Sequence, residues 1–208
     1  MRYRRYQRFK LSPILVLVIV NLLLFLVIFI IGKIAPQLAS KLVLTLGLPP
    51  PAYFWDQPWT IVTSMFVHIQ FWHIFANMIT LYFFGTYFFR LVGERKFLLV
   101  YFGGGILGNI LLLLLAQFSP YNIAFGASGA IFALAGALVV MRPKLPVLIF
   151  PIPVPIPLWL AVIGGFLILT VLPIRFNWPI AWQAHLGGLV LGLIAGYFFR
   201  KRERYFSW

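Results

Sequence analysis

Gly126-Ala127-Ser128-Gly129-Ala130-Ile131-Phe132 opens an apolar run that continues to Met141 with no further polar side chain. Read as a helix over Ala127–Met141, the run is shorter than the about 20 residues needed to cross a hydrocarbon core. It is also rich in Gly and Ala, which let helix backbones approach closely. A short helix of small residues suits the enclosed centre of a bundle, not a wall facing lipid. Ser128 then lies inside protein at membrane depth, where polar side chains are costly and usually mark function.

The rest of the chain supplies the bundle. Its 208 residues are 62% hydrophobic and 10% charged, with mean hydropathy +0.99. A soluble domain of that length has no way to hide so much apolar surface. Besides the central run, the stretches Leu11–Ile34, Trp72–Leu91, Phe97–Gln117, Leu158–Leu172 and Ile180–Arg200 read as membrane helices. The fold class is therefore all-α: a polytopic membrane protein of six transmembrane helices with the short helix four at its centre. Leu11–Ile34 is too long for a signal-peptide core and lacks a small-residue cleavage site, so it is read as retained. Residues 1–208 are expected to form a single membrane domain. Within it, 1–10 is a basic N-terminus, 33–71 an outer loop and 201–208 a tail. Pro143–Pro157, with Pro146, Pro151, Pro153 and Pro155 inside it, is incompatible with regular helix and is expected to run along the inner interface.

Basic residues orient the bundle. Of 17 Lys and Arg, only Lys33, Lys41 and Arg175 fall in loops on the side opposite the termini. The positive-inside bias puts both termini in the cytoplasm. The net charge of +14 stands at membrane edges, where it suits anionic headgroups, so no nucleic-acid partner is expected. The chain has no Cys and hence no disulfide framework.

In this orientation helices two, four and six all begin on the outer side. His73, Ser128 and His185 each lie within a turn or two of those starts, roughly 3–10 Å below the outer ends at about 1.5 Å per residue. Singly, each has a plain reading: a small residue at a helix contact, a packing histidine, or an interfacial His73–Asn77 pair one turn apart. Together, at one depth, they supply a nucleophile, a base and extra hydrogen-bond donors, the set a serine hydrolase inside a bilayer needs. The only acids are Asp56, Glu94 and Glu203, none at the depth of the serine. His68, in the polar loop before helix two, is expected to make local hydrogen bonds.

These residues resemble the rhomboid intramembrane serine proteases of the six-helix bacterial or archaeal type. The resemblance runs from Trp59 to Gly196. It rests on Thr63-x-x-Phe66-x-His68, His73-x-x-x-Asn77-Met78, Gly126-Ala127-Ser128-Gly129-Ala130-Ile131-Phe132 and Ala184-His185-Leu186-Gly187-Gly188, with Gly192 and Gly196 extending the last small-residue face. It implies a dyad of Ser128 as nucleophile and His185 as general base. It also implies an oxyanion hole of His73, Asn77 and the Ser128 N–H, with Gly126, Gly129 and Phe132 in support, Phe132 at the aromatic position on which the family's histidine stacks. Two positions depart from the family pattern: Thr60 follows Trp59 where Arg is frequent, and Phe89 stands where Glu is frequent.

Other classes fit less well. A transporter would spread polar residues through both leaflets, a zinc protease needs His-Glu-x-x-His, and an aspartyl protease needs two helix-borne carboxylates. A catalytically silent rhomboid-like binding protein would be expected to lack Ser128 or His185. No metal or other cofactor is expected. The expected partners are the lipid bilayer and single-span or polytopic membrane protein substrates, and the sequence carries no assignment of an oligomer. The small residues around Ser128 point to a scissile bond after a small residue in a segment that unwinds near the outer face. Such a segment would enter beside the short fifth helix and the Pro173–Ile180 loop.

Overall fold

Ser12 and Pro13 set the first helix: Ser12 Oγ accepts the Leu15 N–H at 3.3 Å, and Pro13 occupies a position whose missing N–H costs nothing. The computed structural model describes residues 11–118, 123–148, 154–171 and 180–203. The expected basic N-terminus, most of the Pro173–Ile180 loop and the end of the tail lie outside them. The helices are α1 (Pro13–Ile34), α2 (Pro36–Leu46), α3 (Thr60–Thr63), α4 (Phe71–Val92), α5 (Glu94–Leu114), α6 (Ser128–Met141), α7 (Leu158–Phe166) and α8 (Trp182–Glu203).

Four of these, α1, α4, α5 and α8, are long and apolar enough to cross a membrane, and α6 and α7 are shorter apolar helices. The chain is an all-α integral membrane protein, its sheet among the described residues limited to one two-stranded pairing. Boundaries differ from the sequence expectation for local reasons. The segment expected at Phe97–Gln117 starts at Glu94, directly after Gly93, whose φ of 79° ends α4. The one expected at Leu158–Leu172 is α-helical only to Phe166 and continues as a π turn over Leu167–Val171. Ala127 caps α6 rather than belonging to it, and α1 and α8 begin two residues inside their expected starts, at Pro13 and Trp182.

Helix α6 is the enclosed centre. Every residue from Gly129 to Leu138 is buried, and its 14 residues span only about 21 Å at about 1.5 Å per residue. Helix α8 lies against it through backbone. A Cβ on Gly188 would strike the Gly129 carbonyl oxygen, one on Gly192 the Ala133 carbonyl oxygen, and one on Gly196 the Ala137 carbonyl oxygen at 2.6 Å. Glycines spaced by four make one groove on α8, which receives α6 residues spaced likewise. Helix α5 adds Gly108, where a Cβ would come within 2.5 Å of the Ala184 carbonyl oxygen. By contrast α1 keeps a broad exposed apolar face, including Leu15, Ile19, Leu22, Leu23 and Leu26.

The segment expected as a loop over 33–71 is largely folded. It contains α2, a 3-10 turn at Pro51–Asp56, α3 and a second 3-10 turn at Ser64–Phe66. Trp59 Nε1 donates to the Thr45 carbonyl at 2.9 Å and Thr63 Oγ1 to the Leu46 carbonyl at 2.7 Å. Those bonds pin α3 to the end of α2, at the point where the family's Arg is absent. At the other departure, Phe89 packs edge-on against Phe97, with ring centroids 6.1 Å apart. In the proline-rich segment Pro146–Val147 pairs antiparallel with Ile156–Pro157, and the Leu158 N–H donates to the Leu145 carbonyl at 2.8 Å. The described flanks of this segment thus close into a short ladder, and its middle, 149–153, lies outside the described residues.

Candidate active site

The turn that delivers Ser128 is fixed by backbone bonds. Ala124 and Leu48 exchange N–H···O bonds of 2.9 and 2.8 Å, and the Gly126 N–H donates to the Ser64 carbonyl at 2.9 Å. Behind Ser64, Asn109 Nδ2 of α5 lies 2.9 Å from both Ser64 Oγ and the Ile61 carbonyl. Gly126 has φ of +119°, a region L side chains rarely adopt, and a Cβ there would sit 2.8 Å from His73 Cε1. Glycine is thus required twice over, by the backbone and by the imidazole laid against it. Ser128 follows as the first residue of α6, where N–H groups have no intrahelical acceptor and the helix dipole is positive.

Across the α6–α8 groove, Ser128 Oγ and His185 Nε2 are 2.8 Å apart. His185 lies in the first turn of α8 and is 8% exposed. Its Nδ1 is 3.0 Å from Thr170 Oγ1 on the π turn after α7. The Phe132 ring, one turn below Ser128, packs on the imidazole with centroids 4.8 Å apart and planes at 37°. The three helix starts singled out in the sequence thus converge on one small volume. Gly129 also belongs to it, lying against the Ala184 carbonyl. Asp56 and Glu94 are exposed, Glu94 at the opposite end of α5 from the Asn109 side, so neither carboxylate reaches the imidazole.

His73 and Asn77 stand on α4 on the other flank of the serine turn. Asn77 is buried, and its Nδ2 donates to the His73 carbonyl at 2.8 Å, which leaves the second amide hydrogen for another acceptor. Beside Ser128 is a cavity of about 20 Å³, bounded by Met65, Gly105, Gly126, Gly129 and Ala184 among others. That volume is on the order of one water molecule or a methyl group.

Three features were not read from the sequence. His68 is not confined to local bonds: it is fully buried, and its Nε2 accepts the Ala127 N–H at 3.4 Å while Nδ1 faces the Phe66 carbonyl at 3.4 Å. Both bonds are satisfied by the neutral Nδ1–H tautomer. Burial, reinforced by the His73 ring 5.0 Å away, pulls its pKa down to about 3. Ser64 and Asn109 form the second feature, a polar support whose members are 45 residues apart. Thr170 is the third, and it did carry a signal: it is the one hydroxyl in the apolar run from Leu158 to Val171.

Comparison with known proteins bears on this arrangement. The family model of the Rhomboid domain matches residues 56–202. The chain is 31% identical over 146 residues to "Rhomboid protein 1, mitochondrial" of Saccharomyces cerevisiae, covering 68% of this chain and 42% of that protein. It is 31% identical over 141 residues to "Rhomboid protease GluP" of Bacillus subtilis, covering 66% and 25%. It is also 35% identical over 80 residues to "Inactive RHOMBOID-like protein 8" of Arabidopsis thaliana, covering 38% and 22%. The chain spans less than half the length of these relatives.

Proposed function

We propose, from the premise that this chain belongs to the rhomboid family, that it is an intramembrane serine endopeptidase cutting transmembrane segments of membrane proteins near the outer face. The observation that carries this reading is the 2.8 Å contact of Ser128 Oγ with His185 Nε2 at the start of a buried helix. In the proposed reaction His185 takes the hydroxyl proton as Ser128 Oγ attacks the peptide carbonyl, then delivers it to the leaving amine. Water next attacks the acyl ester by the same route, regenerating Ser128 and releasing the new carboxyl end. The tetrahedral oxyanion would be met by the Ser128 N–H, His73 and Asn77, donors worth about 3–4 kcal/mol each when preorganised. The α6 dipole points its positive end at the same place.

The surroundings support the substrate class. A cavity of about 20 Å³ beside the serine favours a small side chain next to the scissile bond. A helical substrate backbone is fully bonded, so the segment must unwind before its carbonyl can reach Ser128. Access is proposed beside α7, where Ile163, Leu167, Ile168 and Leu169 are exposed and Gly164 and Gly165 have no atoms within 4 Å of a Cβ position. The proposed setting is a prokaryotic inner membrane with both ends cytoplasmic. The mitochondrial relatives carry their location in their own names.

A silent member that only binds transmembrane segments is the second reading, and the relative named inactive favours it. The presence and mutual contact of Ser128 and His185 weigh against it. Purified full-length protein should cleave a generic single-span substrate, and Ser128→Ala and His185→Ala should each abolish cleavage while leaving a folded protein. Because the pair acts as a unit, the double variant should be no worse than either single one. Cleavage by Ser128→Ala at near the wild-type rate would sink the protease reading.

A further inference from the structure

We infer that Thr170 is the positioning residue of His185: its hydroxyl oxygen accepts the Nδ1–H and so fixes the tautomer and the ring orientation in which Nε2 is free to take the Ser128 proton. The inference rests on the reading of Ser128 and His185 as nucleophile and base, and adds a third residue to it.

A neutral imidazole carries one N–H and one lone pair, so what one nitrogen contacts decides what the other is able to do. Here Nε2 faces Ser128 Oγ at 2.8 Å and Nδ1 faces Thr170 Oγ1 at 3.0 Å. A base needs Nε2 unprotonated, which places the proton on Nδ1 and makes Thr170 the acceptor. In the reverse tautomer Nε2–H would donate to the serine, and no proton transfer from Ser128 would follow. Serine hydrolases commonly meet this requirement with a carboxylate. That solution is expensive here: Thr170 is 1% exposed in an apolar wall, and an isolated carboxylate in such a place costs far more than a hydroxyl. A hydroxyl holds the ring at a fraction of that desolvation cost.

The backbone is shaped for this contact. Leu167–Val171 is a π turn, and single π turns inside helices cluster at functional sites. The wider turn lags an α-helix by roughly a quarter turn over its length, because it holds more than about 3.6 residues per turn. Its neighbours Leu167, Ile168 and Leu169 are 50–60% exposed, while Thr170 is buried against α8. One polar residue is turned inward beside three exposed apolar ones, and it meets the imidazole.

The test uses full-length protein in detergent, with Thr170→Val, which keeps shape and removes the acceptor, and Thr170→Ser, which restores a hydroxyl. Three readouts are taken: kcat and KM on a single-span substrate, the rate of Ser128 labelling by a fluorophosphonate, and ¹⁵N shifts of the His185 imidazole. Thr170→Val should lower kcat and labelling by roughly tenfold to a hundredfold, part of what a positioned general base supplies, with KM unchanged. Its imidazole signal should move from the Nδ1–H tautomer to a mixture, and Thr170→Ser should recover most of the rate. Wild-type kcat and unchanged imidazole shifts in Thr170→Val would overturn the assignment while leaving the protease intact. A wild type that neither cleaves nor takes label would sink the protease reading instead, and a Thr170-dependent Nδ1–H signal would still support the contact.

Discussion

Along α8 glycines meet backbone, whereas along α7 they meet nothing. A Cβ on Gly188 or Gly192 would collide with a carbonyl oxygen of α6, but Gly164 and Gly165 have no heavy atom within 4 Å of that position. Every residue of α6 from Gly129 to Leu138 is buried, while much of α7 and its π turn is exposed. The two regions share the site between them. Ser128 and His185 are carried by the tightly packed pair, Thr170 by the loose helix. On the proposed protease reading, tight packing holds nucleophile and base in register, and the loosely packed α7 stands where substrate is proposed to enter. A hydrophobic bundle without a hydrophobic driving force between its helices depends on close van der Waals contact, so the α6–α8 groove is where stability concentrates.

The largest effect should come from that groove. Gly188→Val or Gly192→Val forces side-chain carbons into the Gly129 or Ala133 carbonyl, and neither backbone has room to retreat without separating the helices. Both variants should lose the monodisperse folded species in size-exclusion chromatography and cleave nothing. Folded, active Gly192→Val protein would mean that the α6–α8 contact is not the rigid half of the molecule.

Next in size are the α4 residues on the far flank of the serine turn. If His73 and Asn77 donate to the oxyanion, His73→Ala and Asn77→Ala should each lower kcat by roughly tenfold to a thousandfold with folding retained. Asn77 already gives one amide hydrogen to the His73 carbonyl, so Asn77→Asp, which keeps size and loses the donors, should be as damaging as Asn77→Ala. A rise in KM with kcat unchanged would make both of them packing residues.

How much of this was legible in the sequence follows from the range of each interaction. The central helix could be read because small residues and one serine in a short apolar run are local facts about residues 126–141. A common level for His73, Ser128 and His185 could be read because helix starts on one side share a depth; that they also meet laterally is set by helix packing, which no local spacing records. The polar support of the serine turn could not: Asn109 and Ser64 are 45 residues apart, and neither has a spacing that announces the other. Residues 33–71 read as loop because their helices are short and interrupted by Pro50, Pro51 and Pro58, and are held by long-range bonds such as Trp59 to Thr45. Thr170 was visible as a lone hydroxyl, but the π turn that aims it leaves no periodic mark.

A smaller, pH-dependent effect belongs to His68, which supports the rigid side by accepting the Ala127 N–H. Burial holds its pKa at about 3, below its ordinary 6.5, so the unfolded chain binds the proton that the folded protein refuses. Its contribution is therefore complete above pH 6.5 and is lost as pH falls toward about 3. The slope for one such proton is at most about 1.4 kcal/mol per pH unit. Wild-type protein in detergent should melt at progressively lower temperature as the buffer is taken from pH 6.5 to pH 4.5, and His68→Gln, which keeps an acceptor but does not titrate, should show a flatter profile. Parallel profiles would assign the acid sensitivity to another group.

The smallest effect, and the sharpest test of the contrast between the two regions, comes from one substitution made in both. Gly164→Ala adds a methyl group that meets no neighbour, and Ala is the better helix former by about 1 kcal/mol. Melting temperature should stay level or rise slightly, and fluorophosphonate labelling of Ser128 should be unchanged, because a small probe needs no displaced wall. Cleavage of a membrane-embedded substrate should fall by no more than about threefold, through slower access beside a stiffer α7. Gly188→Ala, the same added methyl group directed at the Gly129 carbonyl, should instead lower melting temperature and labelling together. If the two alanine variants behave alike, α7 is as firmly seated as α8, and substrate must reach Ser128 by another side.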